Sequence, residues 1–395
     1  LFQLALTDPI LFDFHHYRRP YYTPFRPPEQ AFALLDRILK WLEGWFDRFA
    51  PDLFLCLGNN YLVKNAGGAI ASRKGCHVAC LIPGRMDDYW YFTSDVSSGH
   101  RDPRYRAWME QASTEVSLAE ADERIAGFRE RTGGLYDAEC LRLSSQPTLV
   151  PLSSILKDWI RRSRASVYQG VRRMTRRLPG RQQRLLPWQG PSYSSDPTRT
   201  LLYSQRLTLN RIRYRIKDPF HKTVPDVPFL LFTLHTIPES STLTMSTEYF
   251  EDDLIRFISK ELPAGMQLVV KENPNMIGER FWSVYRDLQR LPNVVMVDPA
   301  ISTREVIAAS LGVVGISGTS LLEGVLMDRP AHCFGDPEYG FVVNSQGFES
   351  FPAFARGCME GALHPRRAAA PRHIQYLLDR GPPVNTRQLT KPRSP

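Results

Sequence analysis

The sequence lacks the cysteine spacing on which redox and zinc sites depend. Its six cysteines, Cys56, Cys76, Cys80, Cys140, Cys333 and Cys358, include no Cys-x-x-Cys pair, and several sit inside apolar runs, so they read as reduced core residues. Histidines do not supply a metal site either. His15-His16 and Cys76-His77 are adjacent pairs without the spacing that closes a tetrahedral shell, and no metal is expected. No apolar run approaches the roughly 20 residues that span a bilayer, and no secretory signal pattern opens the chain, so a soluble cytoplasmic protein is expected. Acids are nearly missing from residues 157–184, where ten basic residues face one acid, Asp158. Ten minus one accounts for the whole net charge of +9. The length of 395 residues exceeds what one hydrophobic core serves and predicts two domains.

What the chain does have is an alternation of short apolar runs and helical patterns. The runs cover residues 229–234, 266–270, 294–297, 311–316 and 331–334, and they are rich in β-branched residues, as strands buried on both faces of a parallel sheet should be. Between them, residues 251–262, 279–291, 303–310 and 320–327 carry apolar side chains at helical spacing. This predicts a doubly wound α/β domain, whose ligands bind beyond the carboxyl ends of the strands.

Three polar clusters fall at those ends. Ser317, Gly318 and Thr319 follow one run, and a helix begins near Ser320. Its unpaired amides and positive dipole end suit a phosphate, to which both hydroxyls can donate, while Glu323 one turn on suits a ribose or sugar hydroxyl pair. The plainer alternative is that Ser317 or Thr319 caps the helix and Glu323 is an exposed first-turn acid. Lys271, in Lys271-Glu-Asn-Pro274, is either a cation for phosphate or a solvated charge. His235 and Glu239 leave the first strand in the same manner, in Leu234-His-Thr-Ile-Pro-Glu239.

Taken in order, these motifs resemble the carboxyl-terminal half of the bacterial capsule polysaccharide biosynthesis proteins. That group of GT-B glycosyltransferases includes the Kdo transferases of capsule and lipopolysaccharide assembly. The resemblance spans residues 228–341. It is carried by Leu234-His-Thr-Ile-Pro-Glu-Ser-Ser-Thr242, by Val270-Lys-Glu-Asn-Pro274 with Gly278-Glu-Arg280 and Tyr285-Arg286, by Leu291-Pro-Asn-Val-Val-Met-Val-Asp-Pro299, and by Ser317-Gly-Thr-Ser-Leu-Leu-Glu323. The family usually reads Lys-Glu-His-Pro where this chain has Asn273, which can donate a hydrogen bond but cannot carry a charge.

The resemblance implies a GT-B architecture of two Rossmann-like domains with parallel sheets facing a cleft. It places the donor phosphate against Lys271, Asn273, Ser317, Gly318, Thr319 and Glu323. The candidate catalytic residues are His235, Glu239 and, from the amino-terminal half, Asp87. A CMP-activated sugar such as CMP-Kdo is the implied donor substrate, a lipid-linked or nascent glycan the acceptor, and no cofactor or metal is required. Two alternatives stay open: a UDP-sugar 2-epimerase of the same fold, and a catalytically inactive binding or scaffold homologue.

The amino-terminal half predicts a second α/β domain, with helices over residues 29–49 and 62–74 and strands over 53–57 and 77–82. Its strand ends offer Gly58-Asn59-Asn60 and the loop Pro83-Gly-Arg-Met-Asp-Asp88. Family members often have a glutamate before the glycine of such a loop, where this chain reads Leu81-Ile-Pro-Gly84. The expected divisions are residues 1–150, an acceptor-side domain truncated at its start; 151–222, a basic connecting segment; 223–365, the nucleotide-sugar-binding domain; and 366–395, a partly disordered tail. Residues 157–184 also carry Trp159, Ile160, Val167, Tyr168 and Val171, so they can form a basic helix with an apolar stripe that lies on the inner-membrane surface. A solvated connector is the plain alternative. Nucleic acid is not expected as a partner, because no aromatic platform or nucleic-acid motif accompanies the arginines.

Overall fold

The computed structural model describes residues 28–57, 62–86, 90–94, 103–110, 117–130, 151–176, 197–236 and 251–380. In the amino-terminal unit, helix α1 (Pro28–Phe49) lays the apolar face of an amphipathic sequence, Leu39, Leu42 and Phe46, against Ala66, Ile70 and Ala71 of α2 (Leu62–Arg73). Strands β1 (Leu53–Leu57) and β2 (His77–Pro83) run parallel, with Leu53 opposite His77, and β3 (Trp90–Thr93) returns antiparallel to β2. The two strands and two helices predicted here form within about a residue of their expected bounds. Strand β3 has no counterpart in the prediction. Helices α3 (Pro103–Glu110) and α4 (Ala119–Glu130) complete this unit.

A helical hairpin follows, α5 (Leu152–Arg176) and α6 (Pro197–Ile216). Asp158 near the start of α5 accepts a hydrogen bond at 3.2 Å from Arg211 near the end of α6, which fixes the two as antiparallel. Helix α6 is anchored to the carboxyl-terminal unit. Asn210 is buried there and donates to the Gly278 carbonyl at 3.1 Å, and Tyr214 meets the edges of Trp282 and Tyr285.

The carboxyl-terminal unit alternates strand and helix as the sequence predicts. It comprises β4 (Phe229–Thr233), α7 (Glu251–Glu261), β5 (Gln267–Lys271), α8 (Trp282–Leu288), β6 (Val294–Val297), α9 (Thr303–Ala309), β7 (Gly312–Gly315), α10 (Thr319–Leu326), β8 (Ala331–Cys333), β9 (Ser345–Gln346) and α11 (Phe351–Met359). The sheet runs β6-β5-β4-β7-β8-β9, and every pairing in it is parallel. This is the Rossmann order, in which the direction of winding reverses between the first and fourth strands, here β4 and β7. Alternate residues serve the two faces. Phe229, Leu231, Val269 and Val313 belong to one core cluster, and Leu230, Phe232, Val270 and Val314 belong to the other. All eight are essentially inaccessible, and burying each contributes about 1.5–3 kcal/mol. The α/β class with two sheet-bearing units is therefore present.

The last described helix, α12 (Ala369–Arg380), crosses back to the amino-terminal unit. Its Ala370, Ile374 and Tyr376 share a core cluster with Tyr91, Tyr105 and Phe128, and His373 Nδ1 shares a hydrogen bond with the Tyr105 hydroxyl at 2.8 Å. Burial pushes the His373 imidazole down to about 4. The described cysteines, Cys56, Cys76, Cys80, Cys333 and Cys358, are free and buried. No helix among the described residues is long and apolar enough to cross a membrane.

Candidate functional site at the switch point

Strands β4 and β7 are neighbours, so whatever follows them converges at the point where a doubly wound sheet binds its ligand. Beyond β7 the chain makes the turn Ser317-Gly318 and enters α10. The cap position of α10 is Gly318, and no side chain caps the helix, so neither Ser317 nor Thr319 takes the capping role. The Leu321 amide donates to the Gly318 carbonyl at 3.0 Å, and with no side chain over the helix end the amides ahead of it suit a ligand. Glu323 is buried, at 7% exposure, rather than a solvated first-turn acid.

Three polar side-chain atoms surround Gly318. A Cβ placed there would stand 3.1 Å from His235 Nε2, 3.4 Å from Ser320 Oγ and 3.6 Å from Thr233 Oγ1. The two hydroxyls hydrogen-bond each other at 2.6 Å. His235 Nε2 is buried and has no hydrogen-bond partner among the described residues. A buried imidazole nitrogen without a partner is costly, and a ligand hydroxyl in the cradle would satisfy it.

His235 is held by a buried ionic network. Its Nδ1 lies 2.9 Å from Glu251 Oε1, which also accepts the His235 amide at 2.6 Å. A carboxylate only accepts, so this contact assigns the imidazole proton to Nδ1 and leaves Nε2 facing Gly318. Arg280 donates to Glu251 Oε2 at 2.7 Å, to Glu272 Oε2 at 2.7 Å and to the His235 carbonyl at 2.8 Å. The Tyr285 hydroxyl closes the network by donating to Glu272. Burial alone raises the Glu251 carboxyl, but the Arg280 guanidinium and the bonds from His235 outweigh it and leave it below the ordinary carboxylate value.

Lys271 ends β5 and is buried at 4% exposure, with Nζ donating to the Pro299 carbonyl at 2.9 Å. Burial draws its ammonium down to about 8, against the opposing pull of Asp298, Glu272 and Glu323. It is thus a desolvated cation inside the unit, not a solvated charge. Asn273 is half-buried, and its carbonyl accepts the Met276 amide in the short helical turn that follows. Of the sequence-predicted site residues, His235, Gly318 and Thr319 come together at the switch point. Lys271, on the strand next to β4, lies close enough to Glu323 to feel its charge. Glu239 and Asp87, with Asn59 and Asn60, lie outside the described residues. Among the described residues no group of three or more His, Cys, Asp or Glu could hold a metal ion.

Sequence reading missed Glu251, Thr233 and Glu338, and it offered Arg85 only as one residue of the loop 83–88. Glu251 reads as an ordinary acid in a first helical turn. Arg280 and Tyr285 were visible only as part of the motif run, and the structure shows why they travel with it: they anchor the carboxylates that hold His235.

No protein-family model matches the chain, and no curated protein does. Among solved structures, the chain is similar to the beta Kdo 2,7 transferase of Thermosulfurimonas dismutans KpsC, at 10% identity over 85% of this chain and 89% of that one, with a TM-score of 0.41. The beta Kdo 2,4 transferase of the same KpsC gives 11% identity over 81% and 78%, with a TM-score of 0.44. The UDP-GlcNAc 2-epimerase of Neisseria meningitidis, bound to UDP-GlcNAc, gives 11% over 90% and 82%, with a TM-score of 0.31. Likenesses this remote carry no argument about activity, and the fold assignment rests on the strand order itself.

Proposed function

We propose that this chain is a glycosyltransferase of GT-B type that binds a nucleotide sugar at the β4–β7 switch point. The observation that carries the reading is the cradle at Gly318: an uncapped helix end and two hydroxyls converge where a phosphate oxygen fits, and the partnerless His235 Nε2 beside them can accept from a ligand hydroxyl. Charge that develops on a departing nucleotide phosphate would be stabilised by the α10 amides, which need no reorganisation when it forms. His235, steadied by Glu251, is in the arrangement of a base or acid with its orienting carboxylate. The motif order resembling capsule biosynthesis proteins supports a CMP-activated donor such as CMP-Kdo and a lipid-linked or nascent glycan acceptor. Glu239 and Asp87 remain the candidate carboxylates of the reaction.

Work on a lipid-linked acceptor places the enzyme at the cytoplasmic face of the inner membrane. Helix α5 suits that position: Leu156, Ile160, Val167 and Val171 are exposed along one side, and Lys157, Arg161 and Arg164 are exposed beside them. Leu202, Leu209 and Ile216 form an exposed row on α6, one every seven residues. An apolar row flanked by cations matches an anionic leaflet.

Thermal unfolding with CMP-sugars and UDP-sugars, followed by transfer assays on a short glycan, tests the reading. Protection by a CMP-sugar with transfer supports it. Protection by UDP-GlcNAc with 2-epimerisation replaces the reading by an epimerase, and protection without turnover replaces it by a binding protein.

A further inference from the structure

A second cation reaches the Gly318 turn from the other unit. Arg85 lies just beyond β2, 232 residues earlier in the chain than Ser317, and its Nη1 donates to the Ser317 carbonyl at 3.0 Å. Its Nε is ion-paired with Glu338, whose side chain is 5% exposed. The guanidinium carbon stands 5.6 Å from the centre of the Tyr339 ring, and the Tyr339 hydroxyl donates to the Gly318 carbonyl at 2.6 Å. One turn is therefore held by Arg85 and Tyr339, with His235 beside it.

Two features of this contact go beyond joining two units. Arg85 has φ of 56°, in the left-handed region that a non-glycine residue seldom occupies, and such conformations persist where surrounding contacts impose them. Glu338 Oε2 is buried and has no hydrogen-bond partner among the described residues. The acid thus orients Arg85 through one oxygen and keeps a second acceptor in reserve. A buried carboxylate that is half satisfied is a poor structural anchor, but it can take a ligand hydroxyl.

We propose that Arg85 is a phosphate-binding residue supplied by the amino-terminal unit, positioned by Glu338 and Tyr339. Its planar fork can hold two oxygens of one phosphate, which a lysine at the same place cannot. Ligand binding would exchange the Ser317 carbonyl for a phosphate oxygen on the guanidinium, and so couple occupancy of the switch point to contact between the two units. The inference rests on the nucleotide-sugar reading for the identity of the ligand. The chemistry requires only a phosphate.

The experiment is calorimetric titration of wild type, Arg85→Gln, Arg85→Lys and Arg85→Ala with CMP, UDP, cytidine, uridine and pyrophosphate. Arg85→Gln keeps a donor for the Ser317 carbonyl and serves if the alanine variant fails to fold. The expected result is a loss of tenfold or more for CMP or UDP and for pyrophosphate in Arg85→Gln, little recovery in Arg85→Lys, and unchanged affinity for the nucleosides. If Arg85→Gln binds nucleotide as wild type does, this inference falls and the nucleotide-sugar reading stands. If wild type binds pyrophosphate through Arg85 but no nucleotide, the inference stands and that reading falls. Binding of neither by wild type overturns both.

Discussion

Lys271 gives the sharpest test of the site because its charge is poised. Burial sets its ammonium at about 8, whereas in the unfolded chain it titrates near 10.5. Between those values the unfolded chain binds more protons, so stability rises with pH across that window. The penalty of holding the buried cation is complete below pH 8, on the order of 3 kcal/mol. A phosphate bound near Lys271 adds its negative charge to that of Asp298, Glu272 and Glu323 and returns the group toward its ordinary value. At pH 9 the free protein holds roughly a tenth of a proton on Lys271, so binding should take up about 0.9 proton, against about 0.1 at pH 7. Affinity for CMP should fall about tenfold from pH 7 to pH 9, since only the protonated form receives the phosphate. Calorimetry at pH 9 in buffers of unlike ionisation enthalpy measures the uptake, with Lys271→Met as control. Zero uptake at pH 9, or the same uptake in Lys271→Met, would refute the placement of Lys271 beside the ligand.

Arg280→Met should destabilise the protein by about 3–5 kcal/mol in urea unfolding, because Glu251 and Glu272 would stay buried without their common cation; a loss below about 1 kcal/mol would show that the network is not ionic. His373 titrates near 4 when folded, and the unfolded chain binds the extra proton from about 6.5 downward, so wild type should lose stability as pH falls from 6.5 to 4. His373→Gln should flatten that fall, and an unchanged slope would exclude the residue as its source. Replacing Lys157, Arg161 and Arg164 by glutamine should remove about 3 kcal/mol of attraction to an anionic leaflet, over a hundredfold in partition. Sedimentation with phosphatidylglycerol vesicles checks this, and equal binding of wild type to neutral and anionic vesicles would leave α5 a solvated connector.

The carboxyl-terminal sheet was legible because parallel strands buried on both faces must be nearly continuous apolar runs, and residues 229–234 and 311–316 are, Thr233 apart. Strand β9 was not, since Ser345 and Gln346 carry no apolar signal and are recruited by pairing with His332 and Cys333. Gly318 and His235 could be picked out because the strand order brings β-strand tips together whatever their sequence separation. What their surroundings do was hidden. Lys271 taken alone reads more readily as a surface charge, and only the fold shows that Pro299 receives it in the interior. Arg85 and Glu338 meet across the two units, and no local pattern announces such a pair.

Helix α12 has a consequence for how the chain is made. Among the described residues the amino-terminal unit runs to Glu130, yet its Tyr91, Tyr105 and Phe128 are covered by side chains that follow Ala369. Some 240 residues separate the two, and at the pace of a ribosome that interval lasts between about 10 and 50 s. Through that time the earlier unit waits with an open apolar wall, and by the end of it the later unit already holds all six strands of its sheet. The order of synthesis and the order of completion are therefore reversed. A chaperone that binds nascent chains should find its target on the early half of this protein until α12 emerges.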